Sequence, residues 1–145
     1  MRIIRKAFVI AGLLWITSLG FTATTYAMDC QGCEMTADPL WSHIAGISAN
    51  MQIVNGRVTM TGFAMGNAGA THVIGNIVLD RINPNGTATR VASFNNIRAN
   101  GSVWSVDRVH NVPRGHDYRV TVTVTVFRNG ASETASISSR VARAH

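Results

Sequence analysis

The chain has 145 residues, 46% of them hydrophobic and 14% charged, with 13 Lys+Arg against 7 Asp+Glu for a formal charge of +6. That length suits one domain rather than several. The cations form no run and do not interleave with aromatic residues, which argues against a nucleic-acid partner.

Residues 1–27 have the layout of a secretory signal peptide. Arg2, Arg5 and Lys6 make a basic start, Phe8 to Ile16 is apolar, and Thr25-Tyr26-Ala27 offers small residues before a cut. The apolar run falls short of the roughly 20 residues of a membrane span unless it extends to Phe21 across Thr17, Ser18 and Gly20. The expectation is therefore cleavage after Ala27 and a secreted chain with no stable span, with a retained membrane anchor as the rival reading. Ala27, Met28 and Asp29 make a poor lipoprotein acceptor ahead of Cys30. The 118 residues left carry 10 Arg against 7 acids, or +3, and Lys6 is the only lysine of the full sequence. A surplus of this kind favours solubility and biases the protein toward anionic surfaces such as cell-wall polymers, glycans or headgroups.

Residues 28–43 read as a loose N-terminal arm. Both cysteines lie there, in Cys30-Gln31-Gly32-Cys33. Outside the cell the expected state is a local disulfide or two inert thiols. A redox C-x-x-C needs a βαβ context that nothing downstream supplies. Glu34 stands where haem attachment needs histidine, and zinc lacks further ligands beyond His43 as the nearest candidate.

Alternation begins near Ile44. Ile47, Ala49, Met51 and Ile53 form one face of a strand, Asn55-Gly56 is a two-residue hairpin turn, and Val58 and Met60 resume the alternation. Phe63 and Met65 fall on the opposite phase, which predicts a bulge near Gly62. A loop over Gly66 to Ala70 leads to a strand over Thr71 to Ile82, with Val73, Ile77 and Leu79 on one face and Ile74, Val78 and Ile82 on the other, a pattern that suits partial cover on both sides. Asn83-Pro84-Asn85-Gly86 is a turn. A weaker strand runs from Thr87 to Phe94, Asn95 to Gly101 is a loop, and Ser102 to Val109 is a strand with Trp104 and Val106 inward. The clearest pattern is Tyr118, Val120, Val122, Val124 and Val126 alternating with Arg119, Thr121, Thr123 and Thr125. Arg128-Asn129-Gly130 closes a hairpin before a last strand over Ser132 to Val141, and residues 142–145 are a tail. The mature chain has no amphipathic helix. Seven strands joined by such turns predict an all-β, antiparallel two-sheet sandwich over residues 44–141 with Greek-key connections.

Val112-Pro113-Arg114-Gly115-His116-Asp117-Tyr118 resembles the E–F corner of fibronectin type III domains. The resemblance implies an Ig-like or fibronectin-like sandwich in which the Tyr118 hydroxyl bonds back to the backbone of a corner built with Pro113 and Gly115. Val112 stands where that family has leucine, one extra residue separates Pro113 from Gly115, and Trp41 precedes the first strand. The pattern is also similar to that of small secreted single-sandwich proteins of Gram-positive bacteria, many without an assigned function.

Chemistry is sparse. G-x-S-x-G is absent, and His116-Asp117 is a lone acid–base neighbour pair on a turn, where adjacent side chains diverge. Glu34, Asp38, Asp80, Asp107 and Glu133 are scattered singly, against a paired-carboxylate site. His43, His72, His110, His116 and His145 fit no metal motif. The threonines of 121–125 are β-formers on a wet face, although such arrays also suit ordered ligands. The expectation is therefore a non-enzymatic binding module with no cofactor, no metal site and no catalytic residue. Its partner is a protein or an anionic cell-wall or glycan surface, met by the loops Gly66 to Ala70, Asn95 to Gly101 and Pro113 to His116. A small secreted bacteriocin-like antagonist is the alternative.

Overall fold

The computed structural model describes residues 35–36 and 41–145. The signal peptide expected over residues 1–27 and the Cys30/Cys33 pair lie outside the described residues. The strands are β1 (Met35–Thr36), β2 (Ile44–Val54), β3 (Arg57–Gly66), β4 (Ala70–Ile82), β5 (Ala88–Asn100), β6 (Val103–Asn111), β7 (Asp117–Arg128), β8 (Ala131–Ser138) and β9 (Ala142–Arg143). One sheet has the order β1-β2-β3-β6. The other has the order β5-β4-β7-β8, with β9 also on β7. All pairings are antiparallel. The chain passes between sheets after β3, β5 and β6, so the seven long strands form a β-sandwich.

Its turns follow from local chemistry. Asn55 and Gly56 have φ of 51° and 74°, and Asn129 and Gly130 have 51° and 78°. Positive φ at both central residues is the hairpin geometry whose twist matches the flanking strands, and Asn-Gly reaches it at least cost. Between these turns the alternating valines of β7 face the opposite sheet, and Val120, Val122, Val124 and Val126 are fully buried.

Trp104 sits at the centre of the core. Its ring is fully buried, and its Nε1–H donates to the Ile97 carbonyl at 2.8 Å, which satisfies the one polar atom of the side chain. Burying a tryptophan removes about 200 Å² from water, worth about 5 kcal/mol at about 25 cal/mol per Å². Two glycines make room for it. A Cβ on Gly62 would lie 2.8 Å from the ring, and one on Gly75 would clash with it more closely still. This explains a departure from the expected pattern. β3 keeps one register with β2 from Gly46/Met65 to Val54/Arg57, without a bulge at Gly62. Gly62 and Ala64 face inward under the indole, and the larger Phe63 and Met65 are turned outward.

Three further expectations are corrected. Asn95 to Asn100 is not a loop: β5 continues through it, pairing Ile97 to Asn100 with Gly75 to His72. The register shifts beside Asn95 and Asn96, where Asn96 takes φ 57° and donates its N–H to Asn76 Oδ1 at 2.7 Å. The two asparagines make a bulge within a strand, and Ile97 and Ala99 then return to the core. Residues 142–145 are not a free tail. Ala142 and Arg143 pair with Tyr118 and Asp117, Gly115 N–H donates to the Ala144 carbonyl at 2.7 Å, and Ala144 is fully buried. The arm before Ile44 is tied at two points, since Met35 and Thr36 pair with Ser48 and Ile47 and Trp41 packs against the core.

The two open seams of the sandwich are closed differently. Between β5 and β6 the Arg108 guanidinium lies 5.6 Å from the Phe94 ring centroid. Between β2 and β8, Glu133 reaches across the sheets. Its carboxylate accepts the backbone N–H groups of Ser42, His43 and Ile44 at 3.1, 2.7 and 3.0 Å. Asn67 Nδ2 and Arg128 Nη1 donate to the Ser42 carbonyl at 2.9 and 3.2 Å. Burial pushes the Glu133 carboxyl up, but the three backbone donors pull it down further, and it ends below its ordinary value.

Candidate binding surface

The strand ends define two poles. At one pole lie the start of β2, the three-residue β3–β4 connection Asn67–Gly69, and the two-residue connections Gly101–Ser102 and Asn129–Gly130. At the other lie the Asn55-Gly56 turn, the 83–87 turn, the 112–116 corner and the C-terminal residues. The three segments expected to carry recognition therefore do not meet. Gly66 to Ala70 and Gly101 share the first pole, Asn95 to Asn100 belongs to β5, and Pro113 to His116 is at the second. Connections of two or three residues leave little loop to present.

The corner is built as a hydrogen-bonded unit. Tyr118 Oη donates to the Pro113 carbonyl at 2.9 Å, five residues back. The Tyr118 ring is fully buried. Burial pushes its phenol up from its ordinary value, partly offset by the nearby Arg81 guanidinium. Val112 is buried in the position beside it, and Val112 N–H donates to the Gly56 carbonyl at 2.7 Å, joining the corner to the first hairpin. Gly115 is held to the C-terminal strand through its N–H and through its carbonyl, which accepts from Arg143 Nη2 at 3.1 Å.

The carboxylates of residues 41–145 all have structural partners. Asp80 lies 3.5 Å from Arg90, Asp117 lies 3.8 Å from Arg143, Asp107 accepts from Thr61 Oγ1 at 2.7 Å, and Glu133 holds the start of β2. His116 is exposed, and its neighbour Asp117 is turned to Arg143. Among the described residues, no three of His, Cys, Asp and Glu come together as metal ligands. The hydroxyls on the outer face of β7 pair with those of β8: Thr121 with Ser138 at 2.8 Å, Thr125 with Thr134 at 2.8 Å, and Thr123 with Ser136 between them. Those hydroxyls satisfy one another, which accounts for the threonine pattern structurally.

Charge is the property that the fold concentrates. Residues 41–145 hold ten arginines against four carboxylates, a net +6, because the other three acids, Asp29, Glu34 and Asp38, precede them. Arg57 begins β3, Arg114 is in the corner, Arg119 is near the start of β7, Arg90 is near the start of β5, and Arg140 and Arg143 follow β8. These six and Arg81, which pairs with Tyr118 near the end of β4, lie toward the corner pole, Arg108 is near the middle of β6, and Arg98 and Arg128 lie toward the other pole. The Arg114 side chain comes to the first hairpin's turn, 3.7 Å from where a Gly56 Cβ would be, and Arg57 is the next residue of that turn's strand. An open depression of about 520 Å³ is lined by Arg57, Val109, His110 and Asn111. In the sequence these arginines are dispersed; the convergence arises because the first hairpin, the corner and the C-terminus end at one pole.

No family model, curated protein or solved structure matches the chain.

Proposed function

We propose that this protein is an exported, non-enzymatic β-sandwich of fibronectin type III kind that binds a component of a cell surface, a cell wall or another protein. The strand order β2-β3-β6 against β5-β4-β7-β8, together with the Tyr118 corner bond, supports the fibronectin-like reading. The observation that carries the binding reading is the occupation of Asp80, Asp107, Asp117 and Glu133 by structural partners beside a surplus of surface arginine. Acid–base chemistry needs a carboxylate or histidine poised on a reacting group, whereas adhesion needs a rigid body with an unbalanced surface. The short connections shift that role from loops to the poles and faces.

The test is retention of the processed protein on intact cells and on isolated envelope of its source organism. Saturable retention that survives washing supports the reading. Failure to bind any envelope fraction or any protein in crosslinked extracts would overturn it. An antagonist acting by assembly is the second reading, favoured by the β2 edge, of which β1 covers Ile47 and Ser48 among the described residues. Growth inhibition of neighbouring strains separates it from adhesion.

A further inference from the structure

We infer that the corner pole is a docking surface for the phosphate headgroups of an anionic lipid bilayer. The inference rests on the binding reading above and names its partner.

Three features of this pole point the same way. The first is like charge brought together. Arg57 and Arg114 are both exposed, and the Arg114 side chain packs against Gly56, the turn residue that precedes Arg57. The nearest acid of the corner, Asp117, is turned to Arg143. Two exposed cations carried at one turn favour an anion placed across them. Guanidinium forks suit phosphate oxygens in particular, because they donate two parallel hydrogen bonds.

The second feature is exposed aliphatic surface on the same pole. Val54, Val109 and Val141 are 55%, 43% and 52% exposed. Val54 pairs with Arg57, which also pairs with Asn111, so one cross-strand row carries an apolar residue, a cation and an amide. Val109 walls the depression next to that row. Cations interleaved with apolar side chains fit the boundary between headgroups and acyl chains, where arginine stems lie along apolar surface and their heads reach phosphate.

The third feature is breadth. Arg57 and Val54 belong to one sheet, Arg90 and Arg119 to the other, and Arg143 and Val141 to the C-terminal segment. This spread covers the whole end of the sandwich rather than one groove. A broad planar anion meets such a surface at many points, whereas a single polymer strand would meet part of it. Arg98 and Arg128, toward the other pole, lie outside this surface.

The test is sedimentation of the full processed chain with vesicles of phosphatidylglycerol and phosphatidylcholine in equal parts, against vesicles of phosphatidylcholine alone. Binding to the mixed vesicles, absent on the neutral ones and weakened by added salt, is expected. The double variant Arg57→Gln/Arg114→Gln removes two cations and should lose about 30-fold in affinity, at about 1 kcal/mol per near-surface cation. Arg98→Glu changes net charge equally and should lose less than about 3-fold, because it is distant from the bilayer. Equal losses for the two variants would overturn the inference, showing net charge alone at work. Equal binding to both vesicle types would also overturn it. So would competition by soluble polyphosphate without any vesicle binding, which would make the partner an anionic polymer. Retention on envelope protein with no vesicle binding would leave the adhesion reading standing and remove this one.

Discussion

Glu133→Gln tests the seam between the sheets. Three consecutive backbone N–H groups, those of Ser42, His43 and Ile44, converge on one carboxylate at 2.7 to 3.1 Å. Glutamine keeps one acceptor oxygen but turns an NH₂ toward at least one of these donors and removes the charge. A hydrogen bond to a charged group contributes about 1.5–3 kcal/mol. Glu133 is only partly buried, so solvent screening reduces that figure, and the expected loss is about 1–2 kcal/mol at neutral pH. The pH dependence follows from the lowered carboxyl. A group whose pKa is lower folded than unfolded stabilises the fold above its unfolded value, here near 4.5, and loses that contribution as pH falls through the folded value. The gap between wild type and Glu133→Gln should therefore be constant from neutral pH down to about 5, as the carboxylate stays ionised there. It should narrow below that. Urea denaturation at a series of pH values measures it. A gap that is absent at neutral pH, or that widens on acidification, would refute the seam as described.

Gly75→Ala places a methyl where the Trp104 ring lies, and overpacking of this kind costs about 1–3 kcal/mol or prevents folding; thermal melts of Gly75→Ala and of Gly75→Ala/Trp104→Leu check it, the second change recovering part of the loss. Tyr118→Phe deletes the bond to the Pro113 carbonyl and should lower stability by about 1 kcal/mol in urea denaturation. Removing residues 142–145 should speed amide exchange at Gly115, Tyr118 and their neighbours while leaving the middle of β7 protected, because only the corner loses its partners. Thr123→Val should change stability by less than about 0.5 kcal/mol in thermal melts, since it removes one rung of an exposed ladder.

Much of the sandwich was legible because its signals are local. The alternation of valine and threonine over Tyr118 to Val126 and the two Asn-Gly turns each encode a strand or hairpin without reference to the rest of the chain. The misread positions depend on distant partners. Gly62 and Ala64 face inward because Trp104 fills the space above them, forty residues of chain away in the case of Ala64. Asn95-Asn96 has the composition of a loop, yet Asn76 across the ladder turns it into a bulge. Ala142 to Ala144 are too small and too few to show a period, but the corner's backbone groups need partners, and these residues supply them. The role of Glu133 was hidden for the same reason, as its three donors lie about 90 residues earlier. The cationic pole was the least legible feature, because no stretch of sequence contains it.

Amide hydrogen exchange of the protein, read residue by residue with and without the mixed anionic vesicles, tests the central claim most directly: a rigid sandwich that binds through its corner pole. Without vesicles, Val120 to Val126 should be among the slowest amides. With them, further protection should appear over 55–57, 112–116 and 140–143. Protection appearing instead at 67–69 and 129–130, or fast exchange throughout β7, would contradict the account.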